Sequence, residues 1–299
     1  IILFLLSGVV SLIFFSHNLS SSELGVSILY PIRLALYLGI YFWIKRFSAD
    51  ERKVALYCLT GVGVFILLVG YLQYFYYPYL RNLYYLGWDD HLYRLFSVFL
   101  DPNFAGAFFV LYLLFVIDIF KVAKTKIWQV TYLCIAALSV IAIFLTHSRT
   151  GLIMLIVGAA VYLLSYSTKK IAMICTIGFF ILLIITSNTN IEGLNPFRMA
   201  SSQARIDSIQ NAVKIIARYP VFGVGFNSYR YAQIQMGFRQ ENILYPSHAD
   251  AGTDNSYLFV LATTGLVGGI FFFLICFRSV RNLNALAQKN YFPARSLFA

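Results

Sequence analysis

The chain has 299 residues, of which 60% are hydrophobic and only 12% charged, with a mean hydropathy of +0.75 and a formal net charge of +11. A water-soluble domain carries roughly a quarter of its residues as Asp, Glu, Lys and Arg. This composition therefore excludes a soluble globular protein and fits a chain held largely in hydrocarbon, where ionised side chains are costly. The net positive charge does not point to nucleic acid, because it is parcelled out between apolar runs.

Apolar runs near 1–15, 26–44, 54–76, 96–120, 127–146, 150–166, 170–187 and 255–277 each approach the ~20 residues a membrane span needs. Backbone polar groups in lipid must be satisfied within the segment, so these are expected as helices. The chain opens on Ile1 without Met and is read as a piece of a longer protein, its first run truncated. That run lacks a charged leading region and is followed by further spans, so it is not a signal peptide. Cys58, Cys134, Cys175 and Cys276 lie inside apolar runs, where they are expected as small buried hydrophobes and not as disulfides or zinc ligands.

The connections alternate in charge. Lys45, Arg46, Arg52 and Lys53 fill one, Lys121, Lys124 and Lys126 another, Lys169 and Lys170 a third, and Arg278 and Arg281 follow the last run. The positive-inside rule makes these cytoplasmic, which turns 16–25, 77–95, 147–149 and 188–254 outward. The basic residues on the outward side are Arg81, Arg94, Arg149, Arg198, Arg205, Arg218, Arg230 and Arg239, against Lys214 alone. A planar guanidinium suits phosphate better than an ammonium does, so this distribution points to an anionic headgroup or pyrophosphate ligand. The resulting organisation is a bundle of about seven spans over 1–187, an outer segment 188–254, a last span 255–277 and a cytoplasmic tail or loop 278–299.

Several residues stand out against this frame. Arg33, in Tyr30-Pro31-Ile32-Arg33, falls inside the second run, and an ionisable residue there is a functional candidate or a folding partner. Asp118 near Lys121 reads as a paired charge. Arg149, in His147-Ser148-Arg149-Thr150-Gly151, sits where two apolar runs meet almost without a loop, at headgroup depth, as an anion ligand or an interfacial anchor. His147 reads as a satisfied interfacial histidine. In the outer segment, a helix is expected from Ser201 or Ser202 to about Tyr219, stopped by Pro220. Ile206, Ile209, Val213 and Ile216 form its apolar stripe, and Arg205 aligns with Ile209, Ala212, Ile216 and Tyr219, pointing with that stripe toward the bundle. Gly223-Val224-Gly225 reads as a turn. His248, Asp250 and Asp254 bring titratable groups to the mouth of the last span, where a base can deprotonate a sugar hydroxyl. Asp254 also suits a helix N-cap, with Thr253 and Asn255 as competitors.

With these residues in view, the chain resembles the O-antigen ligase/polymerase superfamily of bacterial membrane glycosyltransferases. The likeness rests on His147-Ser148-Arg149-Thr150-Gly151, on Arg205 leading to Pro220-Val221-Phe222-Gly223-Val224-Gly225-Phe226, and on Asp254-Asn255-Ser256-Tyr257-Leu258 running into Thr264-Gly265-Leu266-Val267-Gly268. The resemblance implies an all-α, GT-C-like membrane bundle with one large extracytoplasmic loop. It also implies a glycan donor on undecaprenyl pyrophosphate, a glycan or lipid acceptor, no cofactor and metal-independent transfer at the bacterial inner membrane. Arg149 and Arg205 match family arginines thought to hold the pyrophosphate, and Arg33 is a further candidate. Ligases usually carry His immediately before the Asn of the third motif, where this chain has Asp254. Either Asp254 takes the base role, or His248 reaches in, or the activity is polymerisation. A transporter or flippase of an anionic lipid-linked solute is the rival from another class, although no internal repeat of the kind such proteins carry is seen.

Overall fold

The computed structural model describes residues 1–86, 90–164, 199–239 and 251–288. Among them the chain is helical and has no strand. The helices are α1 Ile2–Phe15, α2 Ser21–Ile44, α3 Ala49–Tyr76, α4 Pro102–Val122, α5 Lys126–Leu145, α6 Arg149–Leu164, α7 Met199–Arg218, α8 Tyr229–Gln235 and α9 Ser256–Gln288. Five of them (α2, α3, α4, α5 and α9) are long and apolar enough to cross a membrane, and α1 and α6 are shorter apolar helices. The protein is an all-α integral membrane protein. The span expected at 170–187 lies outside the described residues.

Local sequence explains where the helices start. Ser20 and Glu23 form a reciprocal capping box that opens α2, and Thr125 caps α5. Asp101 accepts from the N–H groups of Asn103 (2.6 Å) and Phe104 (3.0 Å), and Pro102 takes the first position of α4, where no donor is needed. That Asp-Pro start corrects the span expected at 96–120. Residues 96–101 form a short turn, with Ser97 and Leu100 in the left-handed region, before the helix begins.

Two compact units result. Helices α3 to α6 form one, built around α4, whose Ala105, Phe109, Val110, Leu113 and Leu114 pack with Leu67, Ala142, Ile143 and Leu152. Asp118 is buried near the far end of α4. Tyr162 bridges it and Lys121, accepting from Lys121 Nζ at 2.7 Å and donating to Asp118. Helices α1, α2, α7, α8 and α9 as far as Ser279 form the other, around Phe15, Ala212, Ile215, Val224, Tyr229 and Ala262. Cys58 and Cys134 lie exposed on their helices, against the expectation of burial. In a span, an outward thiol meets lipid, so the apolar run alone does not drive it inward.

The second unit is organised by a break in α9. Gly265 has φ 64 and ψ −167, a backbone available in practice only to glycine. In an unbroken helix the carbonyls of Ala262 and Thr263 would accept from the N–H groups of Leu266 and Val267. Here all of these groups are diverted to one outside segment. Val224 N–H donates to Ala262 O (2.9 Å) and Gly225 N–H to Thr263 O (2.8 Å). Leu266 and Val267 in turn donate to Pro220 O (2.9 Å) and Val221 O (3.3 Å). The segment 220–225 is thus spliced into the helix ladder, which satisfies at membrane depth the backbone groups that the break would orphan. It also holds the remaining helices. Ser11 of α1 donates to Phe222 O, the Phe14 and Phe222 rings stack 4.4 Å apart, Ser228 Oγ donates to Ser27 Oγ of α2 (3.0 Å), and Asn227 donates to Val26 O (3.1 Å). Gly223-Val224-Gly225 is therefore a backbone splice and not a free turn.

Candidate functional site

In the α3–α6 unit, the polar groups converge on the three residues between α5 and α6, Thr146, His147 and Ser148. Gln73 of α3 is buried and satisfied at both ends. Its Nε2 donates to Tyr77 O (3.1 Å) and Arg94 O (3.2 Å), while its Oε1 accepts from the N–H groups of Phe96 (2.8 Å) and Ser97 (3.1 Å). This clamps a connection in which His91, Tyr93, Ser97 and Leu100 all take positive φ. From that connection Arg94 reaches the end of α5, donating through Nε to Thr146 O (3.0 Å) and through a terminal nitrogen to His147 O (3.3 Å). A guanidinium here satisfies carbonyls that the helix leaves open and complements the negative end of its dipole.

On the other side of the turn, Ser148 caps α6 by accepting from Gly151 N–H (3.1 Å), while its hydroxyl donates to Asn103 Oδ1 of α4 (2.8 Å). A Cβ on Gly151 would stand 3.2 Å from Gly106 Cα, so the glycine lets α6 start directly against the α4 backbone. Arg149 follows as the first residue of α6, half-buried. Its cation adds to the positive end of a helix, an arrangement that an anion relieves.

His147 closes the turn with φ 47 and is half-buried. Burial, and then the charge of Arg94, hold its imidazole below the ordinary value of 6.5. The folded state therefore disfavours the proton. The stability contributed by neutral His147 is fully present above the unfolded value and is lost as pH falls toward the lowered folded one. Between about pH 7.5 and about pH 5.5 the detergent-solubilised wild type should lose more thermal stability than His147→Asn, which tolerates positive φ and does not titrate. Parallel pH slopes of Tm for the two proteins would show that this imidazole does not contribute.

In the other unit, α7 begins at Met199 and ends at Arg218, close to expectation, but its register is different. Ala212 and Ile215 are buried, and Ile216 and Tyr219 are partly buried, against Phe15, Tyr229 and Ala262. Of the expected stripe, Ile216 packs inward and the other three turn outward: Ile206 is 47% exposed, Ile209 41% and Val213 50%. Small side chains at the docking face allow close approach, and scattered outward Ile and Val are ordinary on a protein surface. Arg205 lies on the side of Ala212, Ile216 and Tyr219, as its spacing predicts, but is itself exposed and not buried with them.

The same register brings α7 to the start of α9. Ser208 Oγ donates to Thr253 Oγ1 at 2.9 Å, and Asp254 N–H reaches Ser208 Oγ at 3.5 Å. Asn255 caps α9, its Oδ1 accepting from the N–H groups of Tyr257 (3.0 Å) and Leu258 (3.1 Å). The capping role open to Asp254 in the sequence thus belongs to its neighbour, and the Asp254 carboxylate is exposed.

Of the expected site residues, Arg205 and Asp254 stand on segments joined by Ser208 and Thr253. Arg33 is in the same unit, exposed on α2, with its guanidinium 4.5 Å from the centre of the Tyr30 ring; the centre of that ring lies 5.4 Å from that of Phe226, the residue after the spliced segment. Arg149 stands on α6 in the α3–α6 unit. His248 lies outside the described residues. Sequence reasoning passed over Arg94 and Gln73 as individuals. Arg94 was visible only as one of the outer arginines, and Gln73 as a lone polar residue in an apolar run, which is itself a signal for a buried hydrogen-bond donor and acceptor.

The helices define a multi-pass membrane protein whose polar machinery gathers at helix ends and at one broken span. Residues 133–273, which include Arg149, Arg205 and Asp254, match the family model described as O-antigen ligase. This match supports the O-antigen ligase/polymerase superfamily and an activity of that general type. No curated protein matches the chain.

Proposed function

We propose that the protein transfers a glycan carried on undecaprenyl pyrophosphate to an acceptor hydroxyl at the extracytoplasmic face of the bacterial inner membrane, by polymerisation in preference to ligation onto a lipid core. Arg149 and Arg205, with Arg33, neutralise the diphosphate as charge builds on the leaving group. Asp254, or His248, takes the proton of the attacking hydroxyl. The hydroxyl oxygen forms the new bond to the anomeric carbon as the bond from that carbon to the phosphate oxygen breaks, and undecaprenyl pyrophosphate departs with its electron pair. The guanidinium groups supply the positive charge, so the reading assigns no metal.

The observation that carries this reading is that Ser208 joins the Arg205 helix to Thr253 and to the Asp254 backbone, with Asn255 as the cap and the Asp254 carboxylate exposed, inside a stretch matched to O-antigen ligase. The orientation is supported by the clusters Lys45, Arg46, Arg52, Lys53 and Lys121, Lys124, Lys126 on the side assigned to the cytoplasm. The purified protein, reconstituted in vesicles with an undecaprenyl-pyrophosphate-linked oligosaccharide, should form a new glycosidic bond and release undecaprenyl pyrophosphate. Movement of the lipid across the bilayer without a new bond would make it a flippase. Absence of both a new bond and movement would leave a structural subunit, and either that result or movement without a new bond would end the proposal.

A further inference from the structure

A hydroxyl has one hydrogen to give and lone pairs to receive with, and Ser208 uses both toward the same short segment. It donates to Thr253 Oγ1 at 2.9 Å and receives the N–H of Asp254 at 3.5 Å. This clasp joins positions 45 residues apart. It holds Asp254 from the α7 side while Asn255 holds the start of α9 by accepting from Tyr257 and Leu258. Asp254 is thereby fixed at its backbone from both directions, and its carboxylate is left free of either duty. Arg205 lies three residues before Ser208 on α7, a spacing that puts the two side chains on neighbouring turns, with Cβ atoms about 5–6 Å apart.

We infer that Ser208 is a positioning residue, which sets the Asp254 carboxylate in register with the Arg205 guanidinium. The inference rests on the reading of Asp254 and Arg205 given above. Ser208 touches no reacting atom itself. Its hydroxyl fixes the relation between the group that receives the proton and the group that balances the leaving phosphate. Serine suits the position because α7 docks here through a face that includes the fully buried Ala212 and Ile215, where a larger side chain would hold the helix away from the 253–254 segment. Thr253 completes the clasp as the acceptor, which gives the Thr at this position a role distinct from the N-cap role its sequence also suits.

The test uses the full chain in vesicles with an undecaprenyl-pyrophosphate-linked oligosaccharide as donor. Ser208→Ala should lower kcat about tenfold while changing the donor KM less than about twofold, the pattern of a misplaced reacting group and not of lost binding. Ser208→Thr, which keeps the hydroxyl, should restore at least about half of the rate, and melting temperatures should stay together across the series. Thr253→Val, which keeps shape but removes the acceptor, should lower kcat in the same direction. The double variant should be no worse than Ser208→Ala alone, because both remove one interaction. If Ser208→Ala does not fold, Thr253→Val decides: wild-type kcat there overturns the inference. Wild-type kcat in Ser208→Ala beside an inactive Asp254→Asn overturns the positioning role while leaving the base assignment standing. Full activity in both Asp254→Asn and His248→Ala instead removes the assignment on which the inference rests.

Discussion

Gly265→Ala is expected to yield no folded, monodisperse protein. A Cβ at this position would lie 2.2 Å from Val221 O and 2.3 Å from Val221 C, both backbone atoms that cannot rotate away. It would also have to adopt φ 64 with ψ −167, a strain of order 1–3 kcal/mol by itself. The alternative is to close the helix, and that expels the segment 220–225. Pro220 O, Val221 O and the N–H groups of Val224 and Gly225 would then lose their partners in a setting where each orphan costs several kcal/mol. Either route consumes most of the roughly 5–15 kcal/mol that holds a domain folded. Gly223→Ala should behave alike, since its Cβ would meet Ala262 O and Thr263 C at 2.6 Å. The controls are Gly61→Ala, where nothing lies within 4 Å of the new carbon, and Gly237→Ala, equally open but at φ 71. The first should be neutral or stabilising by up to about 1 kcal/mol, and the second should cost about 1 kcal/mol. Size-exclusion profiles and thermal melts in detergent read all four. A monodisperse Gly265→Ala protein would mean that the splice does not hold the unit together.

That splice also marks the limit of what the sequence disclosed. The long apolar helices were legible, because hydrocarbon length and the absence of charge leave few alternatives over runs such as 54–76 or 127–146. The break was not. Thr264-Gly265-Leu266-Val267-Gly268-Gly269 looks like a small-residue packing face, and only the arrival of 220–225 from more than a turn of sequence away makes a break tolerable. The face of α7 was read correctly at Ile216 and misread at Ile206, Ile209 and Val213 for a related reason. Hydrophobic periodicity selects Ile206, Ile209 and Val213, but the helix docks through Ser208, Ala212 and Ile215, since polar bonding and close approach decide its packing. At α4 the local cap was the better guide. Asp101-Pro102 set the start, whereas the apolar residues from Leu95 to Leu100 only extended the run. Arg149 and Asp254 were readable as candidates because each stands at a helix boundary in a charge-poor chain. What freed Asp254, the capping by Asn255, depended on which of adjacent residues turned its side chain toward the helix, and composition does not carry that.

Arg149→Ala and Arg205→Ala are each expected to abolish glycan transfer while leaving insertion and folding intact. Arg205 is exposed and Arg149 half-buried at the first position of α6, and the fixed turn at 146–148 is held by Arg94, Ser148 and Asn103. Truncation therefore leaves those three clamps of the turn in place. Loss of one preorganised donor to a developing oxyanion typically costs 10²–10³ in kcat, and a diphosphate leaving group with two charges to balance should sit at the upper end. Arg→Lys at either position should recover only part of this, because the ammonium keeps the charge but not the bidentate fork. Arg33→Ala should cost less, since that guanidinium is exposed and already lies over the Tyr30 ring. The base is separated from the anion-binding groups by its own pair of variants: Asp254→Asn should lower kcat by 10²–10⁴ if the carboxylate receives the proton, while His248→Ala then stays near wild type. The reverse ranking moves the base role to His248. Full transfer by both arginine variants, measured on the same lipid-linked oligosaccharide, would leave the outward guanidinium groups as interfacial anchors and no more.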